Sequence, residues 1–269
     1  DDSSGWAAAT HKDVRRFDPV ELAGRAVEKC LRSRAPVAFE PGACTVVLEP
    51  PAVTDFLLFL AIFGFGGLAC LEGRSFASGN LGRKILGGNV TITDDAYAAD
   101  ATGLPFDFEG MPRQAVTLVD KGILTAVVHD RQTAAKAGTR TTGHALPQPN
   151  NYGPIPLNPC FGPGQSSLEQ MIADTERGLL VTHFHYTNII DPMRMILTGM
   201  TRDGTFLIEK GRVTRGVRNL RFTESLIEAL NRVRAVSRER ISAPAFWGST
   251  MLVPAMQIDD FHFTSATAF

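Results

Sequence analysis

The sequence predicts an α+β fold in which a large mixed or antiparallel sheet carries packed helices. Helix-start and helix-face signals dominate as far as Leu71, whereas from Val90 onward β-rich runs alternate with turns bearing glycine and aspartate. Short helical stretches interrupt the strands, and no repeat or low-complexity tract breaks the pattern.

Asp18 followed by Pro19 predicts a helix start: Asp18 is the cap, Pro19 sits where an amide has no partner, and Glu21 can reach back toward the cap. Ala23, Ala26, Val27, Cys30 and Leu31 share a face, giving an amphipathic helix to about Arg34. Cys44 to Glu49 is a short β-branched strand that hands over to an apolar helix beginning near Pro51, a first-turn position that tolerates proline. The uncharged run Phe56 to Leu71 predicts a buried helix ending in Gly64, Gly66 and Gly67, and it is too short to span a membrane. Its aromatic residues Phe56, Phe59, Phe63 and Phe65 belong to the core.

Val116–Val119 and Ile123–His129 flank Asp120-Lys121-Gly122, a hairpin signal with glycine where positive φ is wanted. Arg131 to Ala137, closed by Gly138, predicts a short helix. Gly143 to Gln165 is rich in glycine, proline and asparagine, as in a long ordered loop or a mobile lid. A helix over Leu168–Arg177 precedes a meander of Leu179–Asn188, Met195–Met200, Thr205–Glu209 and Arg212–Val217, turning at Arg202-Asp203-Gly204 and Lys210-Gly211. Ser225 with Glu228 makes a capping box for a last helix to about Val236, and Met251–Phe263 returns to strand.

A formal net charge of −1 on 269 residues offers nothing to a polyanion, so neither nucleic acid nor membrane is an expected partner. Basic residues cluster only at Arg232-Val233-Arg234 and Arg238-Glu239-Arg240, which read as a solvated helix face. Cys30, Cys44, Cys70 and Cys160 lie far apart without a CxxC pair, as in a reduced cytosolic protein with buried thiols. The sequence opens Asp1-Asp2-Ser3-Ser4-Gly5, not with methionine, and the residues themselves predict no signal peptide.

Several groups could carry chemistry. His183-Phe184-His185 on a strand places both imidazoles on one face, enough for two zinc ligands, with the third open among His129, His144, His262 and Asp55. A polar lining that hydrogen-bonds to backbone groups is the preferred alternative. Asp107 and Glu109 alternate on an apparent extended segment and form a candidate acid–base pair, with loop capping as the competing and preferred explanation. Ser75, Ser167 and Ser225 lack a nucleophile elbow, and Gly64-Phe65-Gly66-Gly67 lacks the lysine of a phosphate loop. Phe246-Trp247-Gly248 could contribute to a subunit face.

The most informative stretch is Val46-Val47-Leu48-Glu49-Pro50-Pro51-Ala52-Val53-Thr54-Asp55. With its surroundings it resembles the TldD/PmbA family, once called modulators of DNA gyrase. Further matches to the family follow in order: Gly103–Gly110, His129–Ala134, Thr142–Ala145, Ser167–Ile172, Phe184–Asn188 and Asp203–Gly211. Catalytic members of the family carry HExxxH, in which two histidines hold zinc and the glutamate takes a proton from metal-bound water. Aligned through the shared Ala-Val, Pro50 replaces the first histidine, Pro51 the glutamate and Asp55 the second histidine. The family's third ligand, a cysteine before the last strand, is missing too: the region reads Arg240-Ile241-Ser242-Ala243-Pro244-Ala245-Phe246-Trp247-Gly248.

The resemblance therefore implies the metal-free PmbA (TldE) branch, with no catalytic residue and no cofactor in this chain. Residues 1–40 are expected to be a linker and amphipathic helix leading from an absent amino-terminal domain, and 41–269 the carboxy-terminal domain. The implied partner is a TldD-type HExxxH subunit that holds the zinc, or a second copy of the chain. The implied activity is cytoplasmic cleavage of unfolded or linear peptides, including maturation of peptide natural products. The alternatives are an autonomous metal-dependent hydrolase using His183 and His185, and a binding or scaffolding homodimer.

Overall fold

The computed structural model describes residues 3–245 and 248–267, so Phe246 and Trp247 of the suggested subunit face lie outside the described residues. The fold is α+β, and the described residues form eleven strands in one mixed sheet whose pairing closes on itself. β1 (Gly42–Leu48) runs parallel to β6 (Arg177–Asp191) and antiparallel to β11 (Thr250–Ala266). From β6 the ladder passes through β7 (Ile196–Glu209) and β9 (Leu220–Ser225) and returns to β11. β1 is thus paired on both edges. A branch from β11 adds β5 (Pro159–Phe161), β2 (Ile92–Asp94), β3 (Val116–Asp120) and β4 (Ile123–Leu124). β8 (Arg212–Gly216) pairs with β7, and β10 (Val233–Pro244) with β11.

The core centres on α2 (Pro50–Phe59), which packs on β6 and β11. Phe56 is fully buried, with ring centroids 5.5 Å from Phe184 and 6.2 Å from Phe261. Burying one such side chain stabilises the fold by about 1.5–3 kcal/mol. The expected long apolar helix is divided: α2 passes into a π-helical turn at Leu60–Gly64, breaks at extended Gly66, and resumes as α3 (Gly67–Leu71).

α1 (Pro19–Arg32) starts as predicted, with the Asp18 carboxylate accepting from the Val20 amide at 2.8 Å. Its apolar face is not buried as expected, since Val27 is 57% and Leu31 50% exposed. The main chain of Gly5 approaches Ala26 and Cys30 instead, leaving the rest of the face uncovered.

Several boundaries differ from the expectation. Arg202-Asp203-Gly204 makes no turn, because β7 runs straight through it with a bulge. α5 (Leu168–Ala173) and α6 (Leu226–Asn231) are each shorter than expected, and the supposed solvated helix face at Arg232–Arg240 belongs mainly to strand β10. The β-run after Asp120-Lys121-Gly122 forms only the two-residue β4. The α4 helix (Arg131–Ala137) ends at left-handed Gly138 as predicted, and the 143–165 loop contains β5. All four cysteines are free, but only Cys160 is fully buried. Among the described residues no helix is long and apolar enough to cross a membrane.

Candidate functional site

The β1–β6 pairing assembles the site. Leu48 ends β1 opposite Val181, and the Glu49 amide donates to the Val181 carbonyl at 3.0 Å. The chain then turns into α2 with Pro50 and Pro51 in its first turn, where no helical amide bond is lost. Pro51, Thr54 and Asp55 share a helix face, as residues three and four apart do. They line a cavity of about 320 Å³ whose other walls include His183, His185 and Ser242. Pro50 instead lines a neighbouring cavity of about 450 Å³, beside Glu49, Lys29 and Phe206. Pro51, Ile241 and Ser242 border both.

The polar groups of the cleft are largely engaged with one another. Thr187 donates its hydroxyl to the Asp55 carboxylate. Burial pushes the Asp55 carboxyl above its ordinary pKa, and the Thr187 bond with nearby His183 and His185 offsets only part of that. His183 Nε2 pairs with Asp203 at 3.1 Å. That hydrogen bond is the main reason the Asp203 carboxyl is held below its usual range, assisted by Ser4 and Arg202. Trp6 stands edge-on to His183, centroids 4.6 Å apart. Lys29 bonds Glu49 at 2.5 Å and ties α1 to the entrance of α2.

The residues present do not fit a zinc ion. Pro50 and Pro51 have no side-chain donor atom, and the segment where the family carries its cysteine places Ile241, Ser242, Ala243 and Pro244 along the cleft. Among the described residues no three His, Cys, Asp or Glu side chains are grouped to hold a metal ion. His183, His185 and Asp55 line one cavity without being grouped closely enough to hold a metal, and the other suggested third ligands lie elsewhere. His144 bonds Asp94 at 2.9 Å, His262 contacts Glu224 at 3.2 Å, and His129 contacts Thr133 at 3.2 Å.

The Asp107–Glu109 pair is not an acid–base pair on a strand. Asp107 is buried and accepts from the amides of Glu109, Met111 and Ala145, whereas Glu109 is exposed and caps the Arg131 amide. Ser167 and Ser225 cap α5 and α6, and buried Ser75 donates to the Gly64 carbonyl. These carboxylates and serines have structural work.

Sequence reasoning gave no site role to Thr187 and Asp203, the partners of Asp55 and His183, or to Trp6, which lines the cleft. It also missed a fully buried cluster in which Asp94 accepts from Arg113, His144 and the Asn158 amide. Burial alone would raise the Asp94 pKa, but these donors outweigh it and hold the carboxyl below its ordinary value.

The PmbA/TldA metallopeptidase C-terminal domain family matches residues 41–265. Among curated proteins, the "Metalloprotease TldD homolog" of Haemophilus influenzae is 29% identical over 225 residues, which is 81% of this chain and 45% of that protein. A "Metalloprotease" of Methanothermobacter thermautotrophicus is 26% identical over 84% of this chain and 50% of its own length. The crystal structure of TldE from Thermococcus kodakarensis superposes with a TM-score of 0.85 at 22% identity, covering 95% of this chain and 57% of that one. The chain spans about half the length of the curated relatives it matches.

Proposed function

Because the chain belongs to the PmbA/TldA metallopeptidase C-terminal domain family, we propose that it acts as the non-catalytic, TldE/PmbA-like subunit of a heterodimeric zinc metallopeptidase. Its partner is a TldD-type chain that carries HExxxH and holds the zinc. The substrates are unfolded or linear peptides, including precursors of peptide natural products, and the place of action is the cytoplasm. The observation that carries this reading is the donor chemistry at the α2 entrance: Pro50 and Pro51 offer a metal no side-chain donor, and Asp55 is half-buried and bonded to Thr187.

The chain's own residues still contribute to such an enzyme. A non-catalytic half can shape the cavity and exclude folded proteins, since positioning needs no metal. The cleft has walls suited to that work, apolar at Phe184, Ile241 and Ala243 and polar at His183, His185 and Ser242.

Elemental analysis of the purified, dialysed chain tests this reading. The expected result is no stoichiometric zinc. One tightly held zinc per chain, lost in a His183→Ala and His185→Ala double variant, would establish the autonomous metal-dependent hydrolase instead.

A further inference from the structure

Residues 3–10 form neither helix nor strand, yet they cross the cleft described above. One end is anchored on α1 and β7. Ser33 Oγ donates to the Ser4 carbonyl at 2.9 Å, the Cys30 thiol lies 3.6 Å from the Ser3 carbonyl, and Ser4 hydrogen-bonds Asp203. Gly5 lies so close to α1 that a Cβ there would collide with the Ala26 carbonyl oxygen and the Cys30 amide nitrogen. Beyond the cleft, Lys12 Nζ donates to the Ala99 carbonyl at 2.8 Å.

Between these ties the segment is a strap. Trp6 sets its ring edge-on to His183, and Ala8, Ala9 and Thr10 border both cavities. Among the described residues no main-chain hydrogen bond joins residues 5–10 to the rest of the chain. A segment held at its ends and unpaired between them opens at low cost, because few bonds are lost. Lifting it would merge the cavities into one trench along Pro50, Pro51, Asp55, His183 and Ser242. With the strap in place, two buried polar atoms of the trench residues, His183 Nδ1 and Ser242 Oγ, have no hydrogen-bond partner among the described residues. Buried polar atoms ordinarily have one.

We propose that this trench is a groove for an extended peptide, occupied in the resting chain by its own residues 5–10 and opened when a linear peptide of similar chemistry displaces them. The resident segment indicates that chemistry: an aromatic side chain against His183, followed by small residues passing over Pro51. The inference rests on the peptide-handling role proposed above and adds a resident competitor to it. Such a competitor lowers the apparent affinity of any incoming peptide by the fraction of time the trench stands open. Loosening the strap therefore tightens peptide binding.

The experiment titrates a fluorescently labelled decapeptide, with the sequence of residues 3–12, against the full chain and two variants, read by fluorescence anisotropy. Gly5→Ala expels the strap from α1 by its main-chain collision. Trp6→Ala removes the ring from His183 without straining the backbone. Both variants are expected to bind the peptide at least about tenfold more tightly than the parent, the factor by which a trench open about a tenth of the time lowers affinity. Adding His183→Ala to Trp6→Ala should abolish that gain. Equal affinity for all three proteins, or binding by none of them, would overturn the proposal. Mixing the same proteins with a HExxxH-bearing partner separates the two claims. A heterodimer without the gain in peptide affinity refutes the strap alone, whereas the gain without a heterodimer refutes the subunit role alone.

Discussion

His183 Nε2 meets the Asp203 carboxylate at 3.1 Å, although the residue opposite His183 in the β6–β7 ladder is Arg202. The contact accompanies a bulge in which Asp203 takes a left-handed φ of 54° and Gly204 a φ of 137°. The bulge lets a residue outside the regular ladder pairing engage the imidazole. Its hydrogen bond occupies a nitrogen for which a metal would have to compete.

Asp203→Asn should cost little, under about 1 kcal/mol, because the pair is partly exposed to solvent. The sign of its pH dependence follows from the lowered Asp203 pKa. The stabilisation is present above the unfolded carboxylate value near 3.8 and is lost as pH falls through the folded value. Urea titrations across the acid range should show the difference between parent and variant shrinking as pH drops.

Asp55 has the opposite sign. Its folded pKa is raised, so its stabilisation is greatest in acid and is lost as pH rises from near 3.8 through the folded value. Asp55→Asn is therefore expected to gain stability relative to the parent as pH rises through that window. Denaturant midpoints measured at both ends of the window decide it, and a variant that loses ground at the higher pH would contradict the burial argument.

Asp94→Ala strands the buried Arg113 and His144 without their carboxylate. Removing one member of a buried ion pair costs about 3–5 kcal/mol. A comparable drop in unfolding free energy by urea is expected; a change within about 0.5 kcal/mol, typical of a surface substitution, would show that the cluster contributes little.

Pro50→His, Pro51→Glu and Asp55→His together restore the motif residues but should not create a peptidase. The family's third ligand has no counterpart, because Ile241, Ser242, Ala243 and Pro244 occupy that wall, and the supporting shell around the ligands is absent. The assay is cleavage of an unstructured peptide, with and without zinc, and zinc-dependent turnover would show a site already assembled.

Local chemistry was legible in the sequence wherever it closes within a few residues: the Asp18 cap, the Gly138 stop, the Ser225 cap and the first-turn prolines of α2 all form as the residue types dictate. Non-local outcomes were not. Arg202-Asp203-Gly204 has the composition of a turn, yet pairing with β6 on both sides of it converts the same residues into a bulge. Val233 to Val236 has helix-compatible residues, but the ladder with β11 takes it as strand. Thr187 finds Asp55 across 132 positions, and residues 3–10 carry no periodic signal at all. The degenerate motif was readable as residue types; its partners were not, because they arrive through the sheet.

The central claim is that this chain completes a peptidase whose metal lies in another subunit. The most direct measurement combines solution mass with peptide cleavage for the chain alone, a HExxxH-bearing TldD-type chain alone, and their mixture. A homodimer is expected for the chain alone and a heterodimer in the mixture, stable at low-micromolar concentration as an interface of at least about 1,200 Å² allows. Zinc-dependent cleavage of a linear peptide should appear only when both chains are present. A monomer mass throughout, with cleavage by the HExxxH chain unaffected by this one, would contradict the account.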